Sequence, residues 1–204
     1  MRARRRRAIG ARGASLCDDG TPVEAEHASS EEKLAELVLY VAEQLRDDAP
    51  GGATKLNKVL YFAEFRHMRR FGKPITGVSY RKLPQGPAPR RLRPVRDELI
   101  GSGAARLEVD DYFGVPLHRL IPIRPANRSL FTDDELATVD QVVKALWGKS
   151  ASDVSELSHQ EVGWRILDMN EDIPYASAYL PPRFAVTQRM RDHAQALAAR
   201  LQEQ

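Results

Sequence analysis

The segment TKLNKVLYFAEF, residues 54–65, decides the fold. Its apolar residues recur at helical spacing, and the aromatic residues Tyr61, Phe62 and Phe65 widen the apolar surface beyond a single stripe. A helix with so wide an apolar surface has neighbours on several sides. The segment therefore predicts a central helix, which begins at Thr54 and ends at the Gly-Lys-Pro run of residues 72–74.

The side chains of this central helix divide by their chemistry. Leu56 and Leu60 are expected in the core, because burial of apolar area dominates their energetics. Tyr61 is expected at the edge of the core, where an aromatic ring can also contact a partner. Lys55 and Lys58 are expected on a solvated face of the helix.

Helix and strand signals continue on both sides of this segment. The expected elements before residue 124 are a helix that starts at the Ser29 and Ser30 cap and ends by residue 47, a strand over residues 75–83, a helix to Leu99 after the turn of residues 85–89, and a hairpin of strands 106–109 and 117–123. The expected elements after it are a helix opened by a capping box of Thr132 and Glu135, a short helix capped by Ser150 or Ser152, a short helix from Pro174, and a C-terminal helix over residues 187–201. The sequence therefore predicts an α+β fold, a mainly helical single domain with a small antiparallel β-sheet.

The first 29 residues differ from the rest of the chain. They are rich in arginine and small residues and lack apolar periodicity, which predicts a disordered basic tail before a domain over residues 30–204. Gly10, Arg12 and Gly13 interrupt any apolar run after the first arginines, which argues against a signal peptide. The sequence also has no apolar stretch long enough to cross a membrane. We therefore expect a cytoplasmic protein, in which Cys17 is an incidental thiol.

Positive charge is concentrated in one segment, although the net charge of the chain is only +3. Residues 66–96 contain ten arginines and lysines and no acidic residue. Such asymmetry favours an acidic protein partner or a phosphate backbone. The candidate partner-binding residues are Tyr61, Arg66, Arg69, Arg70, Tyr80, Arg90 and Arg91.

The sequence predicts no catalytic, cofactor or metal site. The five histidines are scattered without metal-ligand spacing, and a single cysteine forms no pair. Phosphate-binding glycine loops and a GxSxG nucleophile motif are missing. A hydrolase or transferase would need a convergent polar pocket, which the sequence does not indicate. We therefore expect a protein that is not an enzyme.

Several short motifs in order resemble the Panacea domain of SocA-like antitoxins. They are the central helix segment, GKPITG at residues 72–77, GPAP at residues 86–89, LSH at residues 157–159, Trp164 and IPY at residues 173–175, and the resemblance covers residues 32–182. The motif positions are Lys55, Leu56, Leu60, Gly77, Gly86, Pro87, His159, Trp164, Pro174 and Tyr175. We expect these residues to be structural, with Gly86 in a turn and the Trp164 indole packed and hydrogen-bonded. The sequence departs from the family at Ala88 and Ala176.

The resemblance implies an antitoxin that neutralises a toxin by direct binding, with the toxin encoded by a neighbouring gene. It also leaves a second outcome open, in which the protein is an adaptor that delivers its toxin to a protease. The arginine-rich segments raise a third hypothesis, a nucleic-acid-binding regulator, although no recognition helix stands out.

Overall fold

The computed structural model describes residues 22–180 of the 204-residue chain, with side chains from Ser30 onward. Its helices are α1 (Pro22–Gln44), α2 (Ala53–Phe71), α3 (Leu92–Gly101), α4 (Asp133–Leu146), α5 (Ala151–His159) and α6 (Val162–Ile166). Its strands are β1 (Tyr80–Arg81), β2 (Ala88–Pro89), β3 (Ala105–Tyr112), β4 (Val115–Pro122) and β5 (Asp172–Ile173). Two 3₁₀ turns, Arg128–Leu130 and Tyr175–Tyr179, complete the described part.

The strands form two small antiparallel sheets. In the first, β1 lies between β2 and β5, and Tyr80 pairs with both Pro89 and Ile173. In the second, β3 and β4 form a hairpin whose register runs from the Ala105–Pro122 pair to the Tyr112–Val115 pair. The predicted α+β class, mainly helical with antiparallel strands, is confirmed, although the strands divide into two sheets rather than one.

Helix α2 is the centre of the fold. Leu56, Val59 and Leu60 are buried, and α1, α4 and α5 all pack against the helix. It ends where Gly72 adopts a left-handed φ of 74° and donates its N–H to the Met68 carbonyl at 2.9 Å. Only glycine takes this conformation at low cost, so the glycine at position 72 determines where α2 ends. The predicted central helix and its stop are confirmed.

Two capping boxes start α4 and α5. The Glu135 N–H donates to the Thr132 Oγ1 at 3.3 Å, and the Thr132 N–H donates to the Glu135 carboxylate at 2.9 Å. Ser150 and Asp153 make the same reciprocal pair at the start of α5. The capping box of α4 was predicted, because it needs only residues three apart in the chain. For α5 the sequence predicted a cap at Ser150 or Ser152, and the structure shows Ser150.

The N-terminal boundary differs from the prediction. Pro22 is the first residue that the structure describes, and helix α1 already includes residues 22–29, upstream of the expected cap at Ser29 and Ser30. The glutamates and alanines of residues 23–28 are good helix formers, which favours a helix there. The rest of the tail predicted for residues 1–29 lies outside the described residues, as does the predicted C-terminal helix over residues 187–201.

The strand predicted over residues 75–83 is reduced to β1. The N–H groups of Ile75 and Thr76 donate to the Glu64 carboxylate of α2, at 2.8 and 2.9 Å, and not to a neighbouring strand. The hairpin shows the opposite deviation, since β3 and β4 extend until only Phe113 and Gly114 separate them. Among residues 22–180, no helix has the length and apolar character that a membrane crossing requires.

Candidate functional site

An arginine-rimmed groove of about 470 Å³ lies where α2 faces α4 and α5. We call it the arginine groove. Its apolar lining includes Phe62, Phe65, Leu146 and Leu157, and its rim carries Arg66, Arg69 and Arg70 at the end of α2. Helical spacing on the last turns of α2 places these three arginines beside one groove. An apolar floor with a cationic rim is suited to contact with an acidic protein surface.

The rim arginines form no ion pair among the residues that the structure describes. Arg69 donates from Nε to the Ala178 carbonyl, and the Arg70 guanidinium lies 5.0 Å from the centre of the Phe71 ring. None of the ion pairs within residues 30–180 includes Arg66, Arg69 or Arg70. Burial raises the pKa of Glu161 in the groove wall, and the charge of Arg69 opposes that rise. The groove therefore presents three exposed arginines that form no ion pair within residues 30–180, and Glu161 is the acidic residue in its lining.

A second cavity, of about 260 Å³, lies beside the turn that contains Gly86. We call it the lysine pocket and define it by Thr54, Asn57, Lys58, Gln85 and Gly86. The Lys58 side chain is 2% exposed and donates from Nζ to the Pro87 carbonyl at 3.2 Å. Burial lowers the pKa of Lys58 to about 8, because desolvation disfavours the ammonium form.

Aromatic residues support the turn that borders this pocket. The Trp164 Nε1 donates to the Leu83 carbonyl at 3.0 Å, and the His159 ring stacks on the indole with centroids 4.0 Å apart. The Lys82 ammonium lies 4.4 Å from the Trp164 ring centre, a favourable cation–π distance. Burial, followed by the nearby charge of Lys58, lowers the pKa of His159. The LSH and Trp164 motifs thus hold the GPAP turn in place.

The comparison with known families bears on the same residues. A family model described as antitoxin SocA-like, Panacea domain, matches residues 56–165, which run from the start of α2 to α6. The chain belongs to the SocA-like Panacea-domain antitoxin family. Searches of curated proteins and of solved structures gave no match.

The arginines predicted to bind a partner separate into two groups in this Panacea domain. Arg66, Arg69 and Arg70 meet at the arginine groove. Arg90 instead pairs with Asp172 of β5, and Arg91 donates to both Glu31 carboxylate oxygens at 2.8 and 3.0 Å. Arg90 and Arg91 therefore neutralise charges within the fold, and the three groove arginines remain the candidate contacts.

The structure contradicts the prediction that Tyr61 and Tyr80 contact a partner. Tyr61 and Tyr80 are each 1% exposed, and their rings meet edge to face at 5.8 Å between centroids. The Tyr175 ring of the IPY motif stacks on Phe65 at 5.0 Å, and its hydroxyl donates to the Val78 carbonyl at 2.8 Å. These aromatic residues form a core cluster, so Tyr61 and Tyr80 are not available to a partner in the folded protein.

The GKPITG motif is explained by a buried carboxylate. Glu64 of α2 accepts hydrogen bonds from the N–H groups of Ile75 and Thr76 and from the Thr76 hydroxyl. Burial nevertheless raises the pKa of Glu64, because desolvation outweighs these bonds. Gly77, with a φ of 77°, turns the chain away after this contact, and Pro174 precedes the 3₁₀ turn that brings Tyr175 close. These motif residues are structural.

The expectation that Lys55 and Lys58 occupy a solvated face is wrong. Lys55 is fully buried and its Nζ lies 2.5 Å from a carboxylate oxygen of Asp48, whose other oxygen accepts the Gly148 N–H at 2.9 Å. Lys58 is buried without a carboxylate. The sequence did contain a signal, since a helix that is apolar on several sides leaves little surface for a solvated face.

Among residues 22–180, no group of histidine, cysteine, aspartate and glutamate side chains could hold a metal ion.

Gly86→Ala is expected to lower the free energy of unfolding by about 2 kcal/mol, through left-handed backbone strain and overpacking. Gly86 has a φ of 99°, and an added Cβ would overlap Ser158 Oγ and lie 2.7 Å from Lys58 Nζ. Gly103→Ala is the matched control, because Gly103 has a φ of 74° with no atom near an added Cβ. Urea unfolding measures both losses. Equal losses would show that the space at Gly86 is not restricted.

Proposed function

We propose that this protein neutralises a protein toxin by binding it directly through the arginine groove. The observation that carries the proposal is the meeting of Arg66, Arg69 and Arg70 over an apolar floor, where none of them forms an ion pair within residues 30–180. Membership of the SocA-like antitoxin family supports a toxin as the partner. The proposal requires no catalytic step, and it places the protein in the cytoplasm with its toxin.

Charge defines the chemistry of the proposed occupant. A guanidinium forms forked hydrogen bonds with a carboxylate, and arginine and aromatic residues dominate binding energy at interfaces. We expect the toxin to present an apolar stripe flanked by aspartate or glutamate, most simply on an amphipathic helix laid between α4 and α5. The chain's own ends are poor occupants, since residues 1–21 and 181–204 both contain more arginine than acid. Like charges would repel them from the rim.

The test is co-expression with the product of the neighbouring gene, followed by co-purification and a growth assay. The variant Arg66→Glu with Arg70→Glu reverses two rim charges and leaves the Arg69 bond to Ala178 intact. It is expected to weaken toxin binding by roughly 10- to 100-fold, mainly through slower association, and to abolish rescue.

The matched control is Arg46→Glu with Arg93→Glu. It makes the same change in net charge at exposed arginines outside the groove, and it should rescue growth like the unchanged protein. The melting temperatures of both double variants should lie close to that of the unchanged protein. If the groove variant still rescues growth, or if the control loses rescue to the same extent, the groove is not the binding surface. A neighbouring product that is harmless alone would refute the antitoxin function.

The rescue assay, together with a salt titration of DNA binding, separates direct neutralisation from the two alternatives, a proteolytic adaptor and a nucleic-acid-binding regulator. Rescue at antitoxin levels far below those of the toxin would indicate an adaptor that delivers the toxin to a protease. Tight DNA binding that weakens steeply with salt would indicate a nucleic-acid-binding regulator, because phosphate contacts release counterions. Stoichiometric co-purification with little salt-dependent DNA binding is the result expected for direct neutralisation.

A further inference from the structure

The lysine pocket contains a buried cation that the fold does not neutralise. Within residues 30–180, the Lys58 ammonium makes one hydrogen bond, to the Pro87 carbonyl, and no ion pair. Lys55, three residues earlier on α2, is equally buried but faces Asp48. A buried charge is costly unless a partner compensates it. Lys58 therefore has a desolvated charge that an incoming anion would neutralise.

A second polar atom beside the same cavity lacks a partner. The Asn57 Oδ1 is buried, and no donor among the described residues reaches it. Asn57 also lines the cavity, together with Thr54 and Gln85. A buried acceptor without a donor costs free energy, so the pocket favours a ligand that supplies an N–H group.

Glycine at position 86 keeps the cavity open. The backbone of Gly86 comes so close to Lys58 that an added Cβ would lie 2.7 Å from Nζ and 2.8 Å from Cε. Any larger residue would displace the ammonium group or fill the space in front of it. The cavity therefore depends on a residue without a side chain, at a position where the left-handed turn already requires glycine.

We infer that the lysine pocket binds the carboxylate group of a peptide. The ammonium of Lys58 would pair with the carboxylate, and a rotation of the Asn57 side chain toward the cavity would let its buried Oδ1 accept an adjacent peptide N–H. A peptide carries both groups together, either at its C-terminus or where an aspartate or glutamate side chain stands beside its own amide. Inorganic phosphate satisfies the charge but offers the asparagine oxygen no amide donor.

This inference goes beyond the proposed function and does not depend on it. The lysine pocket and the arginine groove share no lining residue, so a variant in one changes no side chain that lines the other. A toxin or another protein can supply the carboxylate. If the unchanged protein rescues growth from the toxin but binds none of the carboxylate probes, the inference alone fails. If it binds a carboxylate probe but the groove variant still rescues growth, the proposed groove alone fails.

The experiment follows the Lys58 side chain of the full chain by NMR as four probes are added. The probes are acetyl-dialanine with a free carboxylate, the same peptide as its C-terminal amide, acetyl-glutamate amide, and inorganic phosphate. We expect one of the two carboxylate probes to raise the pKa of Lys58, because a neighbouring carboxylate stabilises the ammonium. The C-terminal amide should leave the pKa of Lys58 unchanged, and phosphate, which lacks the amide donor, should raise it less than the responding carboxylate does. The responding probe identifies the source as a chain end or an acidic side chain.

Two variants test the residues. Lys58→Met removes the cation, and Asn57→Asp places a competing carboxylate beside it; both should reduce peptide affinity by at least about tenfold, the size expected for losing a charged hydrogen bond. Lys73→Met, at an exposed lysine outside the pocket, should leave affinity unchanged. Melting curves establish that each variant is folded, and the pKa titration of the unchanged protein needs no variant.

Three outcomes would overturn the inference. The first is that no carboxylate probe shifts Lys58. The second is that the C-terminal amide or phosphate shifts it as strongly as the carboxylates do. The third is that Lys58→Met and Asn57→Asp bind the peptide as well as Lys73→Met does.

Discussion

Lys55→Met is expected to lower the free energy of unfolding by roughly 3–5 kcal/mol, the usual loss when one partner of a buried ion pair is removed. The Lys55 ammonium lies 2.5 Å from the Asp48 carboxylate, and both side chains are almost fully buried. Without the lysine, Asp48 keeps only the Gly148 N–H as a donor among the described residues. An uncompensated carboxylate would then remain between the end of α1 and the start of α2.

Urea unfolding at neutral pH measures this loss. Lys55→Met combined with Asp48→Asn is the informative second variant, because asparagine keeps an acceptor for Gly148 but removes the charge. It should regain much of the lost stability, since the penalty comes from the unpaired charge. If the free energy of unfolding of Lys55→Met alone lies within about 1 kcal/mol of that of the unchanged protein, water reaches Asp48, as it reaches the carboxylates of exposed ion pairs.

Lys58→Met is expected to act in the opposite direction and to stabilise the protein at neutral pH. The difference between a pKa of about 8 in the fold and 10.5 for a free lysine corresponds to roughly 3 kcal/mol of lost stability. Removing the donor to the Pro87 carbonyl offsets about 1 kcal/mol. The net expectation is a gain of about 2 kcal/mol. Two lysines three residues apart on α2 should therefore have opposite effects.

The gain should depend on pH in a defined direction. Because the pKa of Lys58 is lower in the folded state, the unfolded state binds more protons between pH 8 and 10.5. Stability of the unchanged protein therefore rises through this window relative to Lys58→Met, and the advantage of the variant fades. Unfolding of both proteins at pH 7 and near pH 10 measures the effect, with Lys73→Met as the exposed-lysine control. A constant difference between the two pH values would contradict a shifted Lys58.

Residues close in sequence determined much of the fold. The capping boxes of α4 and α5 need residues three apart, and the central helix follows from apolar spacing over a few turns. The left-handed conformation of Gly72 and Gly86 follows from their chemistry at a helix end and in a turn. These features depend on short-range geometry, which a single sequence contains in full.

The candidate site was predicted only in part. The basic segment of residues 66–96 indicated a binding surface, and three of its arginines do line one groove. The same pattern could not separate them from Arg90 and Arg91, whose acidic partners are 82 and 60 residues away in the chain. The buried Tyr61 and Tyr80 were placed wrongly for a similar reason, because the residues that cover them come from other elements.

The sequence by itself thus determined the α+β class, the central helix, the glycine that ends it and the family to which the chain belongs. Tertiary structure alone decided which charges remain free. Lys55 and Lys58 have the same side chain on the same helix, yet Asp48 neutralises one and only the Pro87 carbonyl reaches the other. The physical reason is that desolvation and pairing depend on what the whole fold places within a few ångströms of each ammonium, and no local pattern contains that information.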